Sequence, residues 1–443
     1  MSTEIFGKST RVSEFKKLIG NLNLVRQIGR VTDVIGVVIE SLGPTAAMGE
    51  LCTIYPGNGY SPIPCEVVGF RGEKLLLMPF GEMHGISPGN EVHASGRPLS
   101  VMISDQIVGR VVDGLGNPID GKGPIPGAMP YPIHNKPPKP LKRKRITEPM
   151  SLGIRAIDGL MTVGKGQRMG VFSGSGVGKS SVMGMIARFT KADLNVIGLI
   201  GERGREVREF VERDLGEEGL SRSIVVVATS DQSPLQRKKG AYLATTIAEY
   251  FRDKGMHVLL MIDSITRFAF AQREIGLATG EPPTTRGYTP SLFTELPKLL
   301  ERSGMSDNGS ITGLYNVLVE ADDMNEPVAD TVRSILDGHV VLSRDLAARN
   351  IYPSVDVLQS ISRVMSDITS EQHLQLARRF VEVMAVYRDA EDLINIGAYV
   401  NNSNPKIDYA ISRIDKMNGY IKQGLFEKVE YDDAQTTLKG LFS

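Results

Sequence analysis

One segment of the sequence has the glycine spacing and cationic side chain that bind nucleotide phosphates. SGSGVGKS, from Ser173 to Ser180, follows the apolar run RMGVF and precedes the helical pattern SVMGMIARF. Its glycines let consecutive backbone N–H groups converge on phosphate oxygens, and the positive end of the following helix adds to the attraction. In such a P-loop, Lys179 bridges the β- and γ-phosphates and the Ser180 hydroxyl binds Mg²⁺. The pattern usually begins with glycine, and we expect the small Ser173 to fit the same turn. The predicted nucleotide-binding set is Ser173, Gly174, Ser175, Gly176, Val177, Gly178, Lys179, Ser180 and Ser181.

Two acidic residues follow other predicted strands. Asp263 ends the run HVLLMID, and Glu202 follows NVIGLI in the segment GERGREVREF. At this end of a strand, Asp263 is predicted to hold Mg²⁺ and its waters, although many parallel strands end in Asp. Glu202 is predicted to orient and polarise the water that attacks the γ-phosphate, with Arg203 or Arg205 balancing its charge. The alternative for Glu202 is a surface ion-pair cluster at the start of a helix.

The surrounding sequence indicates the elements that must position these residues. Six apolar runs after residue 150 alternate with longer amphipathic segments, a pattern typical of a mostly parallel sheet with helices on both faces. The runs are RMGVFS, NVIGLIGE, SIVVVAT, HVLLMID, GSITGLYNVLV and HVVLS. We therefore predict an α/β fold with a P-loop core.

The regions on either side of this core have other periodicities. Residues 24–98 contain short β-type runs such as VIGVVIE, LCTIY, CEVVGF and KLLLMPF, whose spacing is typical of a small barrel or sandwich. Of these two, we predict a β-barrel domain. Residues 371–443 have helical spacing and predict a helical C-terminal domain. The P-loop ATPase domain then spans 99–370, and its Gly- and Pro-rich connector at 113–145 is expected to be extended. Residues 1–23 form an N-terminal amphipathic segment, for which packing on the barrel and docking of a partner are both open. Its apolar face is Val12, Phe15, Leu18, Ile19 and Leu22.

Composition disfavours several classes of protein. The 443 residues carry 51 basic and 51 acidic side chains, without the basic excess typical of nucleic-acid binding. No apolar run reaches the ~20 residues needed to span a bilayer, and the N-terminus lacks the apolar core of a signal peptide. We therefore expect a cytoplasmic protein. Its two cysteines, Cys52 and Cys65, are expected to be small buried residues.

Five segments together resemble the catalytic subunits of rotary ATP synthases. They are SGSGVGKS, GERGREVREF, HVLLMIDSITRFAFAQREI, GEPPTTRGYTPSLFTELPKLLERSG and IYPSVDVLQSISRV. The resemblance covers nearly the whole chain and is greatest to the ATPases of bacterial type III protein export. Within that family, GERGREV and TTRGYTPS are similar to the flagellar export ATPases. The resemblance implies a RecA-like P-loop core. It also implies a Mg-dependent ATPase that binds ATP and works at the cytoplasmic face of the membrane, at the export apparatus.

The resemblance also assigns roles to individual residues. It makes Glu202 the catalytic carboxylate, Arg203 its phosphate-facing neighbour and Glu206 an outer-shell acid near the metal. Tyr352, in IYPSVD, is implied to pack against adenine. Arg363, in SISRV, is implied to be the arginine finger that one subunit inserts at the γ-phosphate of its neighbour.

The occurrence of Glu202 and Arg363 in one sequence has a consequence for assembly. In rotary synthases these two roles belong to different types of subunit, so copies of this one chain could complete each other's sites in a homohexamer. The other partners that the resemblance implies are a regulator on the N-terminal segment, chaperone–substrate complexes, export-gate membrane proteins and a stalk-like protein in the ring pore. The C-terminal region lacks the acidic lever by which rotary catalytic subunits press on their shaft, which leaves the mode of torque transmission open.

Three other functions share parts of the pattern. A hexameric nucleic-acid translocase, such as the transcription-termination helicase, has a P-loop core and DSITR. The zero net charge and the lack of aromatic single-strand-binding motifs disfavour it. A non-catalytic nucleotide-binding subunit is disfavoured by Glu202. A catalytic subunit of another ring-shaped rotary-type ATPase stays open.

Overall fold

A computed structural model describes residues 27–57, 59–320 and 323–442. The predicted amphipathic segment at 1–23 therefore lies outside the described residues. The chain divides between Leu99 and Ser100 into two compact units, which are considered separately.

The first unit is a six-stranded closed β-barrel. Its strands are β1 (Ile28–Ile35), β2 (Val38–Leu42), β3 (Glu50–Tyr55), β4 (Ile63–Arg71), β5 (Lys74–Pro79) and β6 (Glu91–Pro98). They pair in the order β1-β2-β5-β4-β3-β6, and every pairing is antiparallel. Successive side chains of a strand face opposite sides, so alternate residues fill the barrel. Its core is Val31, Ile39, Cys52, Ile54, Cys65, Val67, Leu75, Leu77 and Val92.

Two details of the barrel bear on the sequence analysis. The run VIGVVIE is not one strand, because β1 ends at Ile35 and β2 begins at Val38 opposite it. Between them Gly36 has a φ of +59°, a conformation that glycine adopts without strain and that suits a two-residue hairpin loop. Cys52 and Cys65 are confirmed as buried free thiols, and they lie opposite each other on β3 and β4.

The second unit is built on a mostly parallel sheet. Its strands are β8 (Val111–Asp113), β10 (Arg168–Ser173), β11 (Leu194–Ile200), β12 (Ser223–Ala228), β13 (His257–Asp263), β14 (Gly304–Met305), β15 (Ser310–Leu318), β16 (Gly338–Leu342) and β17 (Ile361–Ser362). The order is β17-β16-β10-β15-β13-β11-β12-β8, with β14 also paired to β15. Only the short strands β14 and β17 are antiparallel to their neighbours. A separate ribbon pairs β7 (Ser100–Ile103) with β9 (Met129–Pro132).

Helices cover this sheet, and strands β11 and β12 are buried along their whole length. The helices are α1 (Arg155–Leu160), α2 (Lys179–Phe189), α3 (Gly204–Glu209), α4 (Gly216–Ser221), α5 (Pro234–Asp253), α6 (Ile265–Thr279), α7 (Pro290–Leu300), α8 (Pro327–Ile335), α9 (Arg344–Ala348), α10 (Met365–Ile368), α11 (Glu371–Asn395), α12 (Pro405–Ile421) and α13 (Tyr431–Gly440). A π-helical stretch, Phe210–Leu215, joins α3 to α4. Within the described ranges, none of the helices is both long and apolar enough to cross a bilayer.

The described fold confirms the predicted fold class. A β-barrel is followed by an α/β core with a mostly parallel sheet, and helices α11 to α13 form the C-terminal region. The connector at 113–145 contains no α-helix, as predicted. Because β10, β11 and β13 are parallel, their carboxyl ends lie at one edge of the sheet. This edge carries the P-loop, Glu202 and Asp263.

Candidate nucleotide-binding site

Strand β10 leads directly into the P-loop. Ser173 is the last residue of β10 and only 2% exposed, and α2 begins six residues later at Lys179. Gly176 and Gly178 have φ values of +79° and +86°, so the loop requires glycine at these two positions. Ser173 has an ordinary strand conformation. Serine therefore replaces the usual first glycine without backbone strain.

Lys179 lies between the two acidic residues that the sequence analysis selects. Its Nζ is 2.5 Å from Oδ1 of Asp263 and 3.2 Å from Oε1 of Glu202. The three side chains are 13%, 5% and 14% exposed, respectively. Burial lowers the pKa of Lys179, but the two carboxylates outweigh it and raise the pKa above its usual value. The lysine is thus held charged, at the point where phosphates are expected to bind.

Glu202 has an unusual protonation equilibrium. Burial, and next the charge of Asp263, raise its pKa to about 7, and the opposing effect of Lys179 is smaller. A hydrogen bond shared with Glu206 favours the protonated form further. A carboxyl group with a pKa near neutral is suited to accept a proton from water during a reaction.

When Glu202 is ionised, the cluster is one positive charge short. Two carboxylates face a single ammonium group, and their ligand atoms are oxygens, which Mg²⁺ prefers. Asp263 and the exposed hydroxyl of Ser180, on the first turn of α2, fit the metal-binding roles predicted for them. Within the described ranges there is no group of three or more side chains that could hold a metal ion by themselves. This is compatible with Mg²⁺ that is coordinated mainly by phosphates and water.

Arg203 and Glu206 lie at the border of the site. The guanidinium of Arg203 is 78% exposed and pairs with Glu206 at 3.2 Å, while Arg205 pairs with Glu209 at 3.7 Å, away from Glu202. The hydrogen bond shared with Glu202 has the largest effect on Glu206 and lowers its pKa. Burial opposes this shift, and the charge of Arg203 lowers the pKa further. Of the two arginines considered in the sequence analysis, Arg203 is therefore the one linked to the cluster, through Glu206.

Tyr352 is also brought to the P-loop. Its ring lies so close to Gly178 that a β-carbon there would be 3.3 Å from the tyrosine Cε1. Tyr352 is 41% exposed, so it is accessible to a ligand. The hydroxyl of Ser354 donates a 2.7 Å hydrogen bond to the carbonyl of Val177 and fixes this segment to the loop. Sequence reasoning missed Ser354, since a serine two residues after Tyr352 carries no pattern of its own.

A second residue that sequence reasoning missed joins the C-terminal helices to this face. The backbone N–H of Gln423 donates to the carbonyl of Tyr352 at 2.9 Å. The side-chain amide of Gln423 donates to the carbonyl of Gly153 at 2.8 Å, and its oxygen accepts from the N–H of Arg155. Gln423 follows α12, so no helical periodicity could have singled it out.

Arg363 is the predicted site residue that the structure does not bring to the P-loop. It follows β17, and its N–H donates to the carbonyl of Asp337 at 3.0 Å, just before β16 begins. The P-loop leaves the other end of the sheet, where Ser173 pairs with Leu342 at the end of β16. The six residues of β10 separate these two ends by about 17 Å at ~3.3 Å per step. The exposed Arg363 is therefore remote from the nucleotide site of its own chain.

Comparison with known protein families gives matches to three parts of the chain. Residues 31–96 match the β-barrel domain, and residues 153–362 the nucleotide-binding domain, of the ATP synthase alpha/beta family. Residues 369–440 match the C-terminal domain of the T3SS ATPase EscN.

Individual relatives match nearly the whole chain. The flagellum-specific ATP synthase of Bacillus subtilis (strain 168) is 56% identical over 417 residues, which cover 94% of this chain and 95% of that protein. The type 3 secretion system ATPase of Xanthomonas euvesicatoria is 51% identical over 415 residues, 94% of each chain. Among solved structures, the assembled ATPase EscN from the type III secretion system of enteropathogenic E. coli has a TM-score of 0.89. It is 42% identical and covers 94% of this chain and 100% of its own. EscN in complex with its central stalk EscO has a TM-score of 0.86, at 41% identity and the same coverage.

Proposed function

The chain belongs to the ATP synthase alpha/beta family, within the group of flagellum-specific ATP synthases and type III secretion ATPases, and on this basis we propose that it is the ATP-hydrolysing motor of a bacterial protein export apparatus. The observation that carries the enzymatic part is the position of Lys179 between Glu202 and Asp263 at the P-loop. The flagellar assignment rests on the 56% identity to the Bacillus subtilis relative.

In this proposal the residues of the cluster divide the work of hydrolysis. Lys179 turns from the carboxylates to the β- and γ-phosphates when ATP enters, and the backbone N–H groups of the P-loop bind the same phosphates. Glu202 orients the attacking water and accepts its proton, and Arg203 faces the phosphates. Ser180 and Asp263 would hold Mg²⁺, Asp263 through water, and Glu206 would lie in its outer shell. When bound, the metal neutralises charge on the phosphate oxygens. Tyr352 packs against adenine.

We further propose that Arg363 acts on the neighbouring subunit. Its place at the opposite end of β16 from the P-loop supports this, because the guanidinium is remote from the site of its own chain. Each chain of a ring then receives one arginine and offers another. A homohexamer would be complete without a second type of subunit, and an arginine finger is worth about 10³ to 10⁵ in rate.

The wider role follows from the relatives. The solved EscN structures are of an assembled ATPase, one with a central stalk, and we propose a similar ring with a stalk-like protein in its pore. In this role the chain works in the cytoplasm at the inner face of the membrane. There it releases chaperones from export substrates and helps them enter the export gate, while a regulator binds the N-terminal segment.

Mixing two inactive variants tests the assignment of both catalytic residues. Glu202→Gln keeps the finger but loses the carboxylate, and Arg363→Ala keeps the carboxylate but loses the finger. Each variant alone should bind ATP and fail to hydrolyse it. Equal amounts, mixed before assembly, should recover up to about a quarter of wild-type turnover, because each productive interface needs one intact residue from each side.

Arg333→Ala is the matched control for Arg363→Ala. Arg333 lies near the same end of the sheet, since both arginines lower the pKa of His339 after the larger effect of burial, and it pairs with Asp330. This control should keep wild-type turnover. A mixture that forms rings but stays as inactive as its parents would contradict action on the neighbour. Normal turnover in Glu202→Gln would contradict the catalytic assignment.

A further inference from the structure

Gln167 is a fully buried amide at the start of the strand whose other end is the P-loop. It precedes β10 and has no exposed surface. Its Nε2 donates to the carbonyl of Asp337 and to the hydroxyl of Ser362, each at 3.1 Å, and lies 3.1 Å from the sulfur of Met169. Its Oε1 accepts from the N–H of Gly164 at 2.8 Å. The side chain thus joins three separate segments of the chain.

Arg168, the next residue, also binds the segment at Asp337. Arg168 forms a bidentate ion pair with Asp337 through one edge of its guanidinium, with Nε to Oδ2 and Nη2 to Oδ1 each at 3.1 Å. Its backbone N–H also donates to Oδ2 of Asp337 at 3.1 Å, and its Nη1 pairs with Glu301. Gln167 and Arg168 therefore fix the turn at Asp337 from two sides.

This turn and Ser362 are the two points to which Arg363 is attached. The N–H of Arg363 donates to the carbonyl of Asp337, the same oxygen that accepts from Gln167. Ser362, the other acceptor of Gln167, is the residue before Arg363. The strand that ends there, β17, has only two residues and pairs with β16 alone, so the sheet itself holds it weakly.

We propose that Gln167 is a positioning residue for Arg363: its amide sets the direction from which the finger leaves the subunit and reaches the next one. The inference rests on the proposed function of Arg363 in the ring. It adds that Gln167 and Arg168, at the start of β10, hold the segment that carries the finger. The P-loop follows the other end of the same strand.

The chemistry at this position calls for an amide. The site needs a donor toward Asp337 and Ser362 and an acceptor toward Gly164 on one planar group. A carboxylate of the same length has no donor, and an apolar chain has neither a donor nor an acceptor. A methionine would fill the space and leave the segments untied. A displacement of about 1 Å in a positioned catalytic group can reduce turnover about 100-fold.

The test uses Gln167→Met in the full chain, mixed with the two variants described above. Gln167→Met keeps its own carboxylate site and has a misplaced finger, so alone it should lose roughly 10- to 100-fold in turnover per assembled chain. Mixed with Glu202→Gln, which supplies intact fingers, it should recover activity as Arg363→Ala does. Mixed with Arg363→Ala it should recover none, because neither chain offers a placed finger.

Two further variants separate positioning from a general loss of structure. Asn195→Leu is the matched control, because Asn195 is also a fully buried amide near the start of a parallel strand, bonded to Ala187 and Ser223 away from β17. It should lose stability without showing this pattern of complementation. Ser362→Ala removes only the hydroxyl and should show the Gln167→Met pattern with a smaller loss, which decides the matter if Gln167→Met does not fold.

The outcomes distinguish the inference from the function it rests on. Suppose that mixing with Glu202→Gln restores turnover to Arg363→Ala but not to Gln167→Met. That result overturns the positioning role of Gln167 and leaves the role of Arg363 as the arginine finger intact. The same holds if Asn195→Leu gives the same pattern, or if Ser362→Ala is fully active when Gln167→Met does not fold. Failure of Arg363→Ala itself to recover overturns the proposed function, and the inference with it.

Discussion

Replacing Glu202 with glutamine should stabilise the nucleotide-free protein at pH 8 and leave its stability unchanged near pH 4.5. The carboxyl is buried beside Asp263, so ionising it in the folded state is unfavourable. In the unfolded chain the same group ionises near its ordinary pKa of 4.5, whereas in the folded chain it keeps its proton up to a pKa of about 7. Between these values the unfolded state releases a proton that the folded state holds. Wild-type stability therefore falls through this window and stays lower above it.

The size of the effect follows from the two pKa values. From 4.5 to about 7, at 1.36 kcal/mol per pH unit, the ionised Glu202 costs the folded state about 3 kcal/mol at pH 8. Glutamine keeps an oxygen to accept from Lys179 and cannot ionise, so it avoids this cost. For the unit spanning residues 100–443, an unfolding entropy of about 2 cal/mol/K per residue converts this energy into about 4 °C of melting temperature.

The assay is thermal unfolding without nucleotide, with wild type and variant compared at pH 4.5, 6 and 8. The gain in melting temperature should be near zero at pH 4.5, intermediate at pH 6 and complete at pH 8. Glu209→Gln is the control, since Glu209 is half exposed on α3 and pairs with Arg205 at the surface. Its difference from wild type should not follow the same curve. A Glu202→Gln protein that gains nothing between pH 4.5 and 8 would refute the reasoning.

Three further predictions concern turnover and partners. For the wild type, kcat/KM should rise with pH and be half-maximal near pH 7, where Glu202 ionises in the free enzyme. A pH profile of kcat/KM that is flat down to pH 5.5 would contradict the role of Glu202 as the base. Tyr352→Ala should raise KM for ATP about 2- to 10-fold with little change in kcat, because stacking on adenine contributes about 0.5–1.5 kcal/mol. Tyr352→Phe keeps the ring and should behave as wild type. Equal KM values in the two variants would argue against adenine stacking. Deleting residues 1–20 should leave basal hydrolysis and melting temperature intact and abolish co-purification with the regulator, whereas a destabilised truncation that still binds it would end the docking hypothesis.

The sequence could predict the residues whose chemistry is local. The conformation of the P-loop depends on its own glycines, Gly176 and Gly178. Asp263 ends a buried apolar strand, a pattern that is visible in the sequence itself. The same holds for the alternation of strands and helices, since it follows from periodicity along the chain. These features therefore appear in the structure where they are expected.

The sequence could not predict contacts that depend on distant segments. The double pairing of Lys179 arises only when the carboxyl ends of β10, β11 and β13 meet at one edge of the sheet, with β15 between β10 and β13. The raised pKa of Glu202 depends on the same arrangement. The two-residue strand β17 and the three-residue edge strand β8 are too short to leave a periodic pattern. The placement of Arg363 opposite Asp337, and with it the proposed role of Gln167, was for this reason beyond sequence reasoning.

The separation of the P-loop and Arg363 by the length of β10 gives each chain a direction. On the proposed assignment, chains that join head to tail in an open row leave one site at the end of the row without an arginine, and one arginine at the other end without a site. Adding chains to the row moves these two ends apart and never removes them. Only closure of the ring joins the unmatched site to the unmatched arginine, so the last contact to form creates an active site without adding a subunit. Incomplete assemblies would then always hydrolyse less ATP per chain than closed rings. The rate of hydrolysis per chain would therefore report whether the ring is closed, as a consequence of the direction of β10 in each chain.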